Sequence, residues 1–196
     1  MHLLNLETNI MEENMAYEVE VKAYVQNKNT IVNKLSELGC QWKHKKKQYD
    51  VIYHNFQQRD ISSQKAIFFR IRMESGKQKF LTMKQILSKT EVVEFESSIG
   101  NPKEITKMIE TIGFKEYVIV EKERLEGTFE NFLICVDKVK KLGNFIEVEK
   151  LVQDVSEMEV AGQQIQRFLQ LLEIEPEQIC DKRYHTMLYE LENKQK

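Results

Sequence analysis

Charged residues recur at a spacing of two along this chain. They occur as Glu18-x-Glu20-x-Lys22, Arg70-x-Arg72, Glu94-x-Glu96, Lys122-x-Arg124 and Glu147-x-Glu149, with Lys84 alone on a further β-rich segment. The residues between them are mostly apolar: Val19, Val21, Ile71, Phe95 and Val148. Side chains two apart on a β-strand share one face. Each segment therefore reads as a strand with a charged face and an apolar face. Arg and Lys together suit phosphate oxygens, Arg through paired hydrogen bonds and Lys as a point charge. Clustered carboxylates suit Mg²⁺ or Mn²⁺, hard ions that take oxygen ligands and keep waters.

Two arrangements fit such strands. One is an antiparallel sheet with its charged face in water. The other is a closed antiparallel barrel with a polar interior, its apolar faces turned outward under helices. A buried unpaired ion costs several kcal/mol. A closed interior holding both signs would therefore call for a charged ligand, and acids beside bases would call for a metal–triphosphate.

The elements that must position these residues follow from periodicity and turn signals. Strands are expected at 17–26, 49–53, 66–73, 79–84, 91–99, 114–125, 129–136 and 145–152. Asn29 is expected to cap a helix carrying Ile31, Val32, Leu35 and Leu38 and stopping at Gly39. Pro102 suits the first turn of a helix carrying Ile105, Met108, Ile109 and Ile112. Gly127 marks an expected turn. Ser156 and Glu159 have capping-box spacing before a helix through Ile165, Phe168, Leu169 and Leu172, and a closing helix is expected over 184–191.

The totals narrow the function classes. The chain has 196 residues, a net charge of −2, 41 % apolar residues and 31 % charged residues. That describes a globular protein without the basic field that recruits nucleic acid. No apolar run reaches membrane-spanning length, and residues 1–14 read as a polar tail, not a signal peptide. One domain is expected over 15–196, in the cytoplasm. Cys40, Cys135 and Cys180 lack metal spacing and read as reduced core residues. His2, His44, His54 and His185 read as surface or loop residues, and Trp42 as packing. The run Lys43–Lys47 reads as a solvated segment.

The ordered set of motifs resembles the CYTH superfamily, which is named for class IV adenylate cyclases and thiamine triphosphatases. Glu18-Val19-Glu20-Val21-Lys22 is similar to its opening Glu-x-Glu-x-Lys. Phe69-Arg70-Ile71-Arg72, Leu81-Thr82-Met83-Lys84, Glu94-Phe95-Glu96 and Val120-Glu121-Lys122-Glu123-Arg124 follow in the family's order. Asp137 with Leu142-Gly143-Asn144-Phe145-Ile146-Glu147-Val148-Glu149 comes next, and Lys182-Arg183-Tyr184 closes the series. The resemblance covers about residues 16 to 190 and is nearest to the class IV adenylate cyclase branch. It departs at Val92 and Thr186, where the family often has an Arg and an acid.

The resemblance implies an α+β fold: a closed eight-stranded antiparallel β-barrel, or triphosphate tunnel, with helices packed outside. It implies Mg²⁺ or Mn²⁺ at Glu18, Glu20, Asp137, Glu147 and Glu149. It implies phosphate binding by Lys22, Arg70, Arg72, Lys84, Lys122, Arg124 and Arg183, with Lys22, Glu147 and Glu149 at the reacting atoms. Three functions follow from such a site. The first is an adenylate cyclase that converts ATP to 3′,5′-cyclic AMP and pyrophosphate. The second is a triphosphatase acting on thiamine triphosphate or inorganic tripolyphosphate. The third is a non-enzymatic binder of nucleotides or polyphosphate. The implied partner is a nucleoside or inorganic triphosphate, with no nucleic acid or membrane, and the family likeness admits a homodimer.

Overall fold

The computed structural model describes residues 17–57, 61–63, 65–86 and 92–194. The expected tail, residues 1–14, lies outside the described residues. The elements run β1 (Tyr17–Val25), α1 (Lys28–Glu37), β2 (Gln41–Trp42), β3 (Lys46–His54), β4 (Ile67–Glu74), β5 (Lys79–Ile86), β6 (Val92–Ser98), α2 (Pro102–Thr111), β7 (Lys115–Phe129), β8 (Phe132–Val139), β9 (Gly143–Val152), α3 (Met158–Leu171) and α4 (Tyr184–Asn193). The chain packs as two compact units. One holds the described residues of 17–43, 126–136 and 144–181; the other holds those of 44–125, 137–143 and 182–194. Strands β7 and β8 each run through both.

In the first unit, β1 pairs antiparallel with β9. The odd-numbered apolar residues of β1 and the even-numbered ones of β9 turn to one side. Ala23, Val25, Ile146 and Val148 there join Ile134 and Val136 of β8, and the sheet is covered by Ile31 and Leu35 of α1 and Ile165, Phe168 and Leu169 of α3. The opposite faces carry Glu18, Glu20 and Lys22 on β1 and Glu147 and Glu149 on β9. Asn27, not Asn29, caps α1, its side chain accepting from the Asn29 backbone N–H at 2.9 Å. Ser156 does not cap α3: Glu157 stands at that N-cap without a side-chain cap bond, and Asp154 caps the short 3-10 turn Val155–Glu157 ahead of it, accepting from the Ser156 N–H at 2.7 Å. In both places the cap lies two residues before the donor, because a side-chain oxygen reaches the orphan N–H groups of the first turn from outside the helix.

Gly127 is not a turn. It lies within β7, opposite Trp42 of β2. A Cβ there would sit 2.6 Å from the Trp42 ring and 2.8 Å from the Cys40 Sγ. The glycine lets backbone and indole meet. Trp42 thus packs as expected, its Nε1–H donating to Ser36 Oγ at 2.8 Å.

In the second unit, the antiparallel order is β7-β3-β4-β5-β6. Val51, Tyr53 and Ile71 pack with Ile109 of α2 and with Phe114. Asn101 caps α2, and Pro102 occupies its first turn as expected. The charged side chains take the other face, so the helix covers the apolar side here too. His54 and His185 differ from expectation. They are 3 % and 7 % exposed, and both rings pack in an aromatic group with Tyr117. Cys40 and Cys135 are buried, and all three cysteines are free thiols.

The sheet as a whole reads β1-β9-β8-β7-β3-β4-β5-β6. The α+β class and the antiparallel strand order are as expected; the expected closure of the barrel is not seen, since among the described residues no ladder joins β1 to β6. Part of the outer edge of β1 is occupied from within its own unit. Ala23 bridges to Ile179. The Cys180 N–H donates to the Lys22 carbonyl at 2.8 Å, and Gln178 Nε2 donates to the Tyr24 carbonyl at 2.9 Å. Backbone groups already bonded there cannot accept a further strand. No described helix is long and apolar enough to cross a membrane.

Candidate functional site

The β1/β9 ladder arranges the first unit's polar face in rungs. Tyr24 stands opposite Phe145, Lys22 opposite Glu147, Glu20 opposite Glu149 and Glu18 opposite Leu151. The two aromatic rings meet at 4.6 Å between centroids and form one end of the row. Lys22 and Glu147 are buried beside them, while Glu18 and Glu20 are exposed. Lys22 Nζ lies 3.4 Å from Glu20 Oε1 and 3.4 Å from Glu147 Oε1. The single ammonium thus bridges carboxylates from both strands.

This row fits a hard divalent cation on one physical ground. Like charges directly opposite in a ladder repel, and Glu20 and Glu149 form such a rung. Among the described residues, no group of three or more acids, histidines or cysteines is drawn together to enclose an ion. Mg²⁺ does not need an enclosure, because it keeps waters and takes one or two carboxylates together with substrate phosphates. The oxygen-only, two-carboxylate rung suits that kind of ion and does not suit a structural cage.

The second unit gathers the basic residues. Arg72 of β4 stands opposite Asp50 of β3. Its Nε donates to Asp50 Oδ1 at 2.8 Å and its Nη2 to Oδ2 at 2.7 Å. Arg124 of β7 makes the same fork with Asp137 of β8, at 2.9 and 2.6 Å. Asp137 Oδ2 also accepts from the Tyr184 hydroxyl at 3.1 Å and lies 3.4 Å from Lys122 Nζ. The Lys122 ammonium sits 5.0 Å from the centre of the Tyr184 ring. Arg70 is held differently. Its Nε and Nη2 donate to Thr82 Oγ1 at 3.3 and 3.0 Å, and Nη2 also reaches Glu94 and Glu96 at 3.1 Å each. Lys84 pairs with Glu94, and Thr82 Oγ1 donates to Glu96 at 2.7 Å.

Burial separates these acids into two kinds. Asp50 and Asp137 are 3 % and 0 % exposed, whereas Glu94 and Glu96 lie exposed on the terminal strand β6. Burial works against ionisation of Asp50. The hydrogen bonds and charge of Arg72, with the charges of Lys122 and Arg70, outweigh it and hold the carboxyl below its ordinary range. Burial likewise works against the charge on Arg72, and Asp50 reverses it, holding the guanidinium's pKa above its usual value.

The structure thus brings Arg70, Arg72, Lys84, Lys122 and Arg124 onto one face of one unit, and Glu18, Glu20, Lys22, Glu147 and Glu149 onto one face of the other. Asp137, expected with the metal carboxylates, has both oxygens engaged by Arg124, Lys122 and Tyr184. Arg183 is half-buried at the N-cap of α4, one residue before Tyr184. The basic run is solvated as expected: Lys43 pairs with Glu126 at 2.7 Å and Lys45 with Glu123. Asp50 was absent from the expected site. Its signal was an acid inside the β-rich run Tyr49–Tyr53, where Asp is disfavoured unless it has a partner.

The sequence matches the CYTH domain over residues 16–184. A Methanocaldococcus jannaschii protein named "Putative adenylate cyclase" is 30 % identical over 171 residues, spanning 85 % of this chain and 95 % of its own. The Pyrococcus horikoshii protein PH1819 superposes with a TM-score of 0.76 at 30 % identity, over 89 % of this chain and 99 % of that one. A Hippeastrum protein, described as a "putative adenylyl cyclase" with a dominant triphosphatase activity, superposes with a TM-score of 0.64 at 14 % identity, over 91 % of this chain and 96 % of its own. The chain belongs to the CYTH domain family.

Proposed function

We propose that this protein is a divalent-cation-dependent enzyme acting on triphosphates, most simply as an adenylate cyclase that converts ATP to 3′,5′-cyclic AMP and pyrophosphate. The observation that carries this reading is the set of five cations on β4, β5 and β7, each engaged by a carboxylate. Arg70, Arg72, Lys84, Lys122 and Arg124 face Asp50, Asp137, Glu94 and Glu96. One formal positive charge remains. A triphosphate carries about four negative charges near neutral pH, so this set cannot neutralise it alone. Either the exposed glutamates give way or a divalent cation adds charge.

The arginines would present N–H groups to non-bridging phosphate oxygens, with Lys84 and Lys122 as point charges. Glu18, Glu20, Glu147 and Glu149 are the residues proposed to hold Mg²⁺ or Mn²⁺. A bound cation would supply Lewis acidity and charge neutralisation of the kind phosphoryl transfer uses. Lys22 keeps the Glu20 and Glu147 carboxylates engaged and oriented. In the cyclase reaction the ATP 3′-hydroxyl gives its proton to water as its oxygen bonds to the α-phosphorus. The bond from that phosphorus to the bridging oxygen breaks, and pyrophosphate leaves.

The second reading is a triphosphatase, in which water attacks a terminal phosphorus and orthophosphate is released. The Hippeastrum relative's described activity favours keeping it, and the same cations serve either reaction. Incubation with ATP or tripolyphosphate and Mg²⁺ or Mn²⁺ tests both. Cyclic AMP with pyrophosphate supports the first. Orthophosphate from tripolyphosphate without the cyclic product supports the second. Binding without turnover of any triphosphate would leave a non-enzymatic polyphosphate binder and remove both.

A further inference from the structure

The geometry points to Asp50 as a positioning residue that holds the Arg72 guanidinium in a fixed orientation for a phosphate chain. This rests on the triphosphate reading above. Strand β3 contributes no residue to the motif-derived site, yet it runs between β4 and β7, which carry four of the five cations. Its side chain at position 50 is an acid, 3 % exposed, where an apolar residue would be cheaper to bury. Both carboxylate oxygens accept from Arg72, at 2.8 and 2.7 Å.

The fork uses the Nε–Nη2 edge of the guanidinium. Arg has five N–H donors in a rigid plane, so the Nη1 N–H groups and the outer N–H of Nη2 stay available to an anion. Asp137 holds Arg124 by the same edge, at 2.9 and 2.6 Å. Two arginines on separate strands are thus each locked by an aspartate too buried for solvent or ligand to reach. Arg70, held by Thr82 and by exposed glutamates, has no such lock. Because Asp50 cancels the charge of Arg72, it adds nothing to Coulombic attraction for phosphate. Its contribution is direction.

That distinction sets the sign of the test. Asp50→Asn removes a negative charge beside the cations, so electrostatics alone predicts tighter anion binding. Positioning predicts weaker binding. Calorimetric titration of the full chain with inorganic tripolyphosphate, without divalent cation, reads the difference. Asp50→Asn is expected to weaken binding about tenfold, the scale of a lost charge-assisted hydrogen bond. Arg72→Ala should weaken it at least as much, and the double variant no further than Arg72→Ala alone. A purely structural role would multiply the two effects, and thermal melts report any loss of fold. Should Asp50→Asn not fold, Arg72→Lys carries the test: it keeps the charge, cannot take the fork, and should bind as weakly as Arg72→Ala. Unchanged or tighter binding by Asp50→Asn, multiplicative effects, or wild-type affinity in Arg72→Lys would overturn the role. If the wild-type chain binds neither tripolyphosphate nor ATP, the triphosphate reading falls and this inference with it. If it binds and only Arg72→Ala weakens it, this inference alone falls.

Discussion

Arg124 grips Asp137 through two parallel hydrogen bonds of 2.9 and 2.6 Å, and the carboxylate it grips has no exposed surface. Breaking a buried pair from one side costs about 3–5 kcal/mol when the remaining charge has no other partner, but Asp137 keeps Lys122 and the Tyr184 hydroxyl. Arg124→Ala is therefore expected to destabilise the fold by less than that, about 1–3 kcal/mol, the scale of lost charge-assisted hydrogen bonds. The apolar double variant Arg124→Met/Asp137→Leu should not recover the loss, because it takes the Asp137 carboxylate away from the buried Lys122 ammonium. Urea unfolding of the three proteins checks this; equal stability of Arg124→Ala and the parent would show that the pair carries no structural weight.

Glu94 and Glu96 occupy Arg70 and Lys84 from the exposed strand β6. An incoming phosphate must compete with them for the same N–H groups. Glu94→Gln and Glu96→Gln are expected to tighten metal-free tripolyphosphate binding several-fold, while Arg70→Ala loosens it. Titration calorimetry reads the opposite signs. Weaker binding in the glutamine variants would mean that these acids assist the ligand.

The opposed rung of Glu20 and Glu149 gives a cation prediction. Without divalent ions, Glu149→Gln should raise stability slightly, by about 0.2–1 kcal/mol, because a like-charge rung is relieved. Added Mg²⁺ or Mn²⁺ should raise the melting temperature of the parent by preferential binding to the folded state, and this increment should shrink in the variant. Thermal melts with and without metal measure both; an undiminished increment would place the ion elsewhere.

Asp50 makes part of the stability depend on acid pH. Its folded carboxyl titrates below the ordinary carboxylate range, because Arg72 outweighs the burial that opposes ionisation. The unfolded chain then binds more protons at mildly acid pH, so stability rises with pH there. The contribution is complete above about pH 4, the unfolded value, and disappears as pH falls through the lower folded value. In Asp50→Asn the acid limb of a stability–pH curve should flatten, which denaturant titrations across pH 2–6 would register.

Gly127 should resist replacement. A Cβ there meets the Trp42 ring at 2.6 Å and the Cys40 Sγ at 2.8 Å. Gly127→Ala is expected to cost about 1–3 kcal/mol through overpacking, and Gly127→Ala/Trp42→Leu to regain part of it. A neutral Gly127→Ala would mean that the indole moves aside freely.

The amino-acid order by itself determined which side chains share a face. A period of two makes Glu18, Glu20 and Lys22 neighbours on one side of β1 wherever that strand goes, and likewise Arg70 with Arg72 and Glu147 with Glu149. The same alternation set the apolar residues against helices whose own period was legible, from Ile31 and Leu35 to Ile165 and Phe168. Pairing across strands was not legible, because it depends on register, which long-range packing sets. Only the folded chain puts Asp50 opposite Arg72, Glu20 opposite Glu149, and Asp137 in the grasp of Arg124, Lys122 and Tyr184. The edge of the sheet was decided there too. Gln178 to Cys180 meet β1 from more than 150 residues away in sequence, and they take hydrogen-bonding groups that local sequence left open.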